Sequence, residues 1–274
     1  MANFDIRRFG LVLRWMAVST RKEVLSNTGA MFFAYMVIFV TNMLSSLHAD
    51  FEHAESRLDG AVVLNTMVFM VICVIGGCWI INNMRTKEQR ITFIMLPASR
   101  LEKFVARAFY VTVVWAVMAF AAYCLADVFR ILMSLVMGVH VVGCTIPKFL
   151  SQIFDDYIVP YFIINKSSRV EMLLLAAYCS WVFWIHSIYV LGGVFFRRRQ
   201  FVLTSCFNFL LAIAGTLVAS VLLKNYLAVG STGNIGILAI AACVVFILWG
   251  AADWWLAYRL FRRMQVINNK WINL

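Results

Sequence analysis

The chain has 274 residues, 63% of them hydrophobic and only 14% charged, with a mean hydropathy of +0.85. A soluble globular domain is excluded, since such domains carry about a quarter charged residues; three prolines leave mostly uninterrupted elements. A formal charge of +11 would suggest nucleic acid in a soluble protein, but in a polytopic membrane protein it reflects basic loops against lipid headgroups, and no nucleic-acid partner is expected.

Residues 3–27 predict a helix. Arg7, Arg14 and Arg21 recur every seven residues, Arg8 and Lys22 flank them, and Ile6, Phe9, Leu13, Met16 and Val24 fall on the other side. Together with Trp15 this is a basic amphipathic helix suited to lying in the inner-leaflet interface. The short apolar core and cleavage site of a signal peptide are missing, so the first residues are expected to be kept.

The first apolar run, 30–47, is close to the minimum for a helical crossing. An acidic loop, His48 to Asp59, is expected next, with Asp50, Glu52, Glu55 and Asp59. His48 and His53 among acids suggest a metal site, but no ligand spacing recurs elsewhere and a solvated loop is the plainer expectation. The second run is 61–82, where Gly76 and Gly77 allow close helix packing or a kink.

The loop from Arg85 to Arg107 is heavily punctuated. Thr86 with Gln89 is a helix-start signal of the capping-box kind, and Glu88 falls in the first turn, where negative charge is favoured. Ile91, Ile94 and Met95 follow at helical spacing. Pro97 then stops the helix. Ser99 with Glu102 is a second capping box that opens directly into an apolar run. The pattern predicts a short loop helix over 85–96, a proline break and a fresh membrane-crossing helix.

The third run is 104–125, and its helical pattern continues to Met137. Asp127 and Arg130 share a helix face and can pair, either at the outer interface or as a polar spot in a translocation path. Gly138 to Glu171 is the longest region between runs, broken by Pro147 and Pro160. Phe149, Ile153, Tyr157 and Tyr161 recur every four residues, as in a short surface helix. Asp155 and Asp156 point apart in a helix and are expected to be solvated.

The remaining runs are 172–196, 201–223 and 235–258. The turn Arg197-Arg198-Arg199 divides the first two, and Gly215 with Ala219 is a small-residue packing pair. Asp253 lies beside an interfacial pair, Trp254 and Trp255. Cys144 excepted, the seven cysteines fall inside apolar runs and are expected to act as small hydrophobes.

Six of the 24 basic residues, Arg57, Arg130, Lys148, Lys166, Arg169 and Lys224, fall on one side of this layout, and the others on the other. The positive-inside rule therefore places both termini and the 85–107 loop in the cytoplasm. The expected fold is a single all-α transmembrane domain over 1–274. It has six spans, an interfacial N-terminal helix and a cytoplasmic loop helix between spans two and three.

Catalytic motifs are absent: there is no H-E-x-x-H, no G-x-S-x-G and no Walker-type glycine loop. Nor do the runs carry the paired acids of a proton-driven transporter. The chain is not expected to be an enzyme, to bind a metal or cofactor, or to drive transport alone.

This layout resembles the membrane subunit of ABC-2 type transporters. In that family the loop carries charged residues with a glutamate, then an apolar stretch ending in Leu-Pro, a small residue, Ser-Arg and a basic helix start. The matching residues are Arg85, Lys87, Glu88, Arg90, Ile94, Met95, Leu96, Pro97, Ala98, Ser99, Arg100, Glu102 and Lys103. Gln89-Arg90 stands where the family often has a glycine after the glutamate.

The resemblance implies a permease subunit in a bacterial inner membrane, powered by a separate cytoplasmic ATPase that binds the ATP. The loop helix would be a coupling helix in a cleft of that ATPase. Arg85, Glu88 and Arg90 would form a polar rim, Ile91, Ile94 and Met95 the buried part, with Lys87 and Pro97 in the same contact. Six spans make a half-transporter, so a homodimer or a second six-span permease is implied. The spans hold few polar groups, which points to export of an apolar or amphipathic substrate. The alternative is a non-transporting membrane assembly or immunity factor.

Overall fold

A computed structural model describes residues 4–46, 51–84, 86–138, 143–153, 168–196, 199–228 and 235–264. Arg85, His48, the Asp155–Asp156 pair, Tyr157, Tyr161 and the Arg197–Arg198 turn lie outside these residues. Helix makes up 92% of the structure, and no strand occurs among the described residues. Among the described residues six helices are long and apolar enough to cross a membrane: Arg21–Ser46, His53–Asn82, Arg100–Met137, Met172–Phe195, Gln200–Leu217 and Gly236–Arg263. Each contains most of one predicted apolar run, as a multi-pass membrane protein requires.

In chain order the helices are α1 (Ile6–Ser19), α2 (Arg21–Ser46), α3 (Phe51–Ile75), α4 (Lys87–Ile94), α5 (Arg100–Phe109), α6 (Trp115–Met137), α7 (Ile146–Ser151), α8 (Ser168–Phe195), α9 (Gln200–Ala228) and α10 (Ile235–Arg263). A 3-10 segment, Gly76–Met84, follows α3, and a π turn, Tyr110–Val114, joins α5 to α6.

Three boundaries differ from the sequence expectation. The N-terminal helix does not run through to Asn27 but gives way to α2 at Thr20. There the Thr20 hydroxyl donates to the Met16 carbonyl at 2.7 Å and the Ser19 hydroxyl reaches the same oxygen at 3.2 Å, a back-bonding that bends helices. The expected acidic loop is helical from Phe51 onward. Its carboxylates Glu55 and Asp59, one turn apart, share Lys148, at 3.5 and 2.7 Å. The π turn was not foreseen; Val111, Val113 and Val114 crowd it with β-branches, which fit a regular α-helix less easily.

The chain divides into two compact units. The first comprises Met1–Val12, Val74–Val111 and Phe162–Leu274. Here α8 packs on α10, with Trp184 stacked on Phe246 and Trp249 at 5.1 and 5.5 Å. The Ser187 hydroxyl donates to Asp253 at 2.9 Å. The 3-10 segment lies so close to α8 that a Cβ on Gly77 would sit 2.9 Å from the Val190 nitrogen, and one on Gly193 2.7 Å from the Cys78 oxygen. Gly77 thus supplies the close packing expected of it. A Cβ on Gly215 would meet nothing within 4 Å, so its expected packing role is not met among the described residues.

The second unit comprises Leu13–Cys73 and Thr112–Tyr161. Its core is aromatic. Tyr123 stacks on Phe149 at 3.9 Å and meets Tyr35 edge-on at 5.6 Å, while Phe149 also meets Phe69 at 5.3 Å. The predicted Asp127–Arg130 pair forms at 2.9 Å. Both residues are buried and engage the segment that follows α6: Thr145 N–H donates to Asp127 Oδ2 at 2.9 Å, and Arg130 Nη2 to the Gly143 carbonyl at 2.9 Å.

Candidate functional site

The two capping boxes of the loop between the second and third spans are both present. Thr86, in extended backbone, accepts the Gln89 N–H on its hydroxyl, and Gln89 Oε1 accepts the Thr86 N–H, both at 3.2 Å. That starts α4, which ends at Ile94, three residues before Pro97. At the next start, Ser99 Oγ accepts the Glu102 N–H at 3.2 Å and Glu102 Oε2 accepts the Ser99 N–H at 2.7 Å.

Helix α4 is anchored on one side. Phe93 is 1% exposed and meets Phe261 edge-on at 6.4 Å. Arg90 is also buried, its Nε donating to the Thr86 carbonyl at 3.3 Å, so it does not stand on the outward polar rim expected of it. Outward stand Lys87, Glu88 and Pro97, together with Ile91, Ile94 and Met95, the last 79% exposed. The remaining member of the expected contact set, Arg85, is outside the described residues.

Helix α5 is where the polar interactions of this unit converge. The Glu102 carboxylate is fully buried, and beyond its capping role it accepts the Asp5 N–H at 2.9 Å and pairs with Arg8 at 3.2 Å. It therefore holds the start of α1 and the start of α5 together. Lys103 Nζ donates at 2.8 Å to the carbonyl of Ile94, the last residue of α4, where a cation complements the helix dipole. Arg107, fully buried, donates from Nε to the Ile80 carbonyl and from Nη2 to the Trp79 carbonyl, both at 2.6 Å, and lies over the Tyr110 ring. Arg100 reaches the Arg262 carbonyl at the end of α10. Between these, Phe104 packs among Trp254, Tyr258 and Phe261, with ring centroids at 6.1, 5.4 and 5.5 Å.

Four charged side chains on one helix thus secure α1, α4, the 3-10 segment and α10. Glu102, Lys103 and Arg107 are buried; buried charges are tolerated only when paired and hydrogen-bonded, and each of the three has backbone partners. Sequence reasoning placed Lys103 and Arg107 among the basic residues that mark a loop's side and missed their partners. The available signal was their position: both fall past the second cap, inside an apolar helix, where a charge needs a partner.

Of the N-terminal set, Arg7, Arg14 and Arg21 are exposed, and Arg8 and Trp15 half-buried. Apolar residues stand on both sides of α1: Val12 and Met16 are buried, Ile6, Leu11 and Val18 exposed. Among the described residues no three His, Cys, Asp or Glu side chains gather to hold a metal ion. Lys103 and Phe93 thus tie α4 to α5 and α10.

Compared with protein-family models, curated proteins and solved structures, the chain matches none.

Proposed function

We propose that the chain is the permease subunit of an ATP-driven, ABC-2-like transporter, with α4 as the helix gripped by a separate cytoplasmic ATPase. The supporting observation is the two-sided character of α4. Its Phe93 side is fixed to its own unit, while Ile91, Ile94 and Met95 stand exposed beside Lys87 and Glu88. An apolar patch with a charged rim has the anatomy of a protein contact. The bias of basic residues toward these loops supports a cytoplasmic side for both termini and α4. The substrate would be apolar or amphipathic, and two six-span chains, identical or not, would complete the path.

The test is purification of the tagged chain from its native membrane in mild detergent, with ATP hydrolysis measured on the captured complex. Wild type is expected to bring down an ATPase. Ile94→Asp and Glu88→Arg are expected to lose it while melting as wild type does. An intact complex in both variants would refute the assignment of α4. No ATPase with wild type would favour the non-transporting assembly or immunity factor.

A further inference from the structure

The second unit contains a short segment fastened at many points. Gly143 and Thr145 are held by Arg130 and Asp127 of α6. The Tyr123 hydroxyl lies 2.8 Å from Thr145 Oγ1. Lys148 bridges Glu55 and Asp59, Phe149 is fully buried against Tyr123, and Gln152 lies 3.1 Å from the Thr66 hydroxyl. Thr66 sits about 20 Å along the helix that starts at His53. Residues 143–153 therefore form a clasp that reaches down between the crossing helices rather than lying across their ends.

Two of the seven cysteines stand at the mouth of this clasp. Cys124 is on α6, next to Tyr123 and one turn before Asp127; Cys144 lies between Gly143 and Thr145. The Thr145 N–H donated to Asp127, the Tyr123–Thr145 hydroxyl contact and the Arg130 bond to the Gly143 carbonyl draw the residues on either side of Cys144 onto the α6 turns that carry Cys124. Cys144 is exposed and lies outside the apolar runs, so it is open to a reagent, while Cys124 is partly buried near the end of its run, unlike the fully buried Cys78.

We propose that Cys124 and Cys144 form a reversible disulfide that locks the clasp to α6. The co-reactant is a small-molecule disulfide such as oxidised glutathione. The exposed Cys144 thiolate attacks one of its sulfurs, forming a mixed disulfide and expelling one glutathione thiolate. The Cys124 thiolate then attacks Cys144 Sγ, closing the protein disulfide and expelling the second. Two protein thiols are oxidised, one glutathione disulfide is reduced to two thiols, and the two protons released pass to those leaving thiolates. This assignment does not depend on the transport reading.

The test uses the full chain in detergent, treated with oxidised glutathione, quenched with N-ethylmaleimide and digested for mass spectrometry. Wild type is expected to yield a peptide joining Cys124 to Cys144. Cys124→Ser is expected to leave Cys144 capped by glutathione, with about ten-fold more mixed disulfide than wild type. Amide exchange in 143–153 is expected to slow on oxidation of wild type and not of Cys124→Ser. A Cys144 that stays unreactive, stays capped in wild type, or joins a different cysteine overturns the proposal.

Discussion

The junction at α5 and the polar cluster at Asp127 use buried charge in opposite ways. At α5 the charges mostly do not meet one another. The buried Lys103 and Arg107 and the exposed Arg100 each end on a carbonyl of a different segment, and the buried Glu102 takes two backbone N–H groups in addition to Arg8. At Asp127 the acid and base face each other and close on a single segment, 143–145. The first arrangement ties many elements so that they move together; the second holds one element in place.

The sharpest contrast is expected from breaking each in turn. Asp127→Ala should be the most damaging, because it leaves the buried Arg130 without its counter-charge and the Thr145 N–H without its acceptor. Losing one partner of a buried pair costs about 3–5 kcal/mol. Thermal unfolding in detergent should show it, and Asp127→Ala with Arg130→Met should recover part of the loss. Full additivity of the two would contradict a closed pair.

Glu102→Ala should cost less, about 2–3 kcal/mol, since Arg8 keeps access to water while two N–H groups lose an acceptor. Its signature should be spatial. Amide exchange should rise at Asp5 to Phe9 and at Ser99 together, whereas Asp127→Ala should loosen residues 143–153 alone. Glu102→Gln should restore only part of the protection, because an amide offers one acceptor oxygen.

The smallest effect concerns pH. The side-chain hydrogen bond to Asp59 raises the Lys148 pKa above the ordinary lysine value, and Glu55 adds to it. A raised lysine stabilises the fold fully below its unfolded pKa, and that contribution is lost as pH climbs through the folded value. Wild type should therefore lose slightly more stability than Lys148→Met between neutral pH and pH above about 10.5.

What was legible in the sequence was local. Both capping boxes, the stop before Pro97 and the i, i+3 pairing of Asp127 with Arg130 depend on residues within four positions of each other, and all are present. The six apolar crossings were legible because length and composition suffice. What was hidden depends on distant partners. Nothing near Glu102 signals Asp5, nor does anything near Arg107 signal the carbonyls of Trp79 and Ile80. Arg90 looked like a surface charge because its neighbours Lys87 and Glu88 are, yet its side chain turns back over the helix start. The acidic stretch ending at Asp59 looked like a loop because Lys148, the cation that Glu55 and Asp59 share, arrives from far along the chain.

The central claim, that the outward side of α4 is held by an ATPase, is tested most directly by a photo-crosslinker at Met95. With p-benzoylphenylalanine in place of Met95 in cells of the native host, illumination should join the chain to one protein that carries a Walker-type phosphate-binding loop. The same group at Phe109, exposed on α5, should not. Crosslinks to lipid alone, or to a protein without a nucleotide-binding site, would contradict the account.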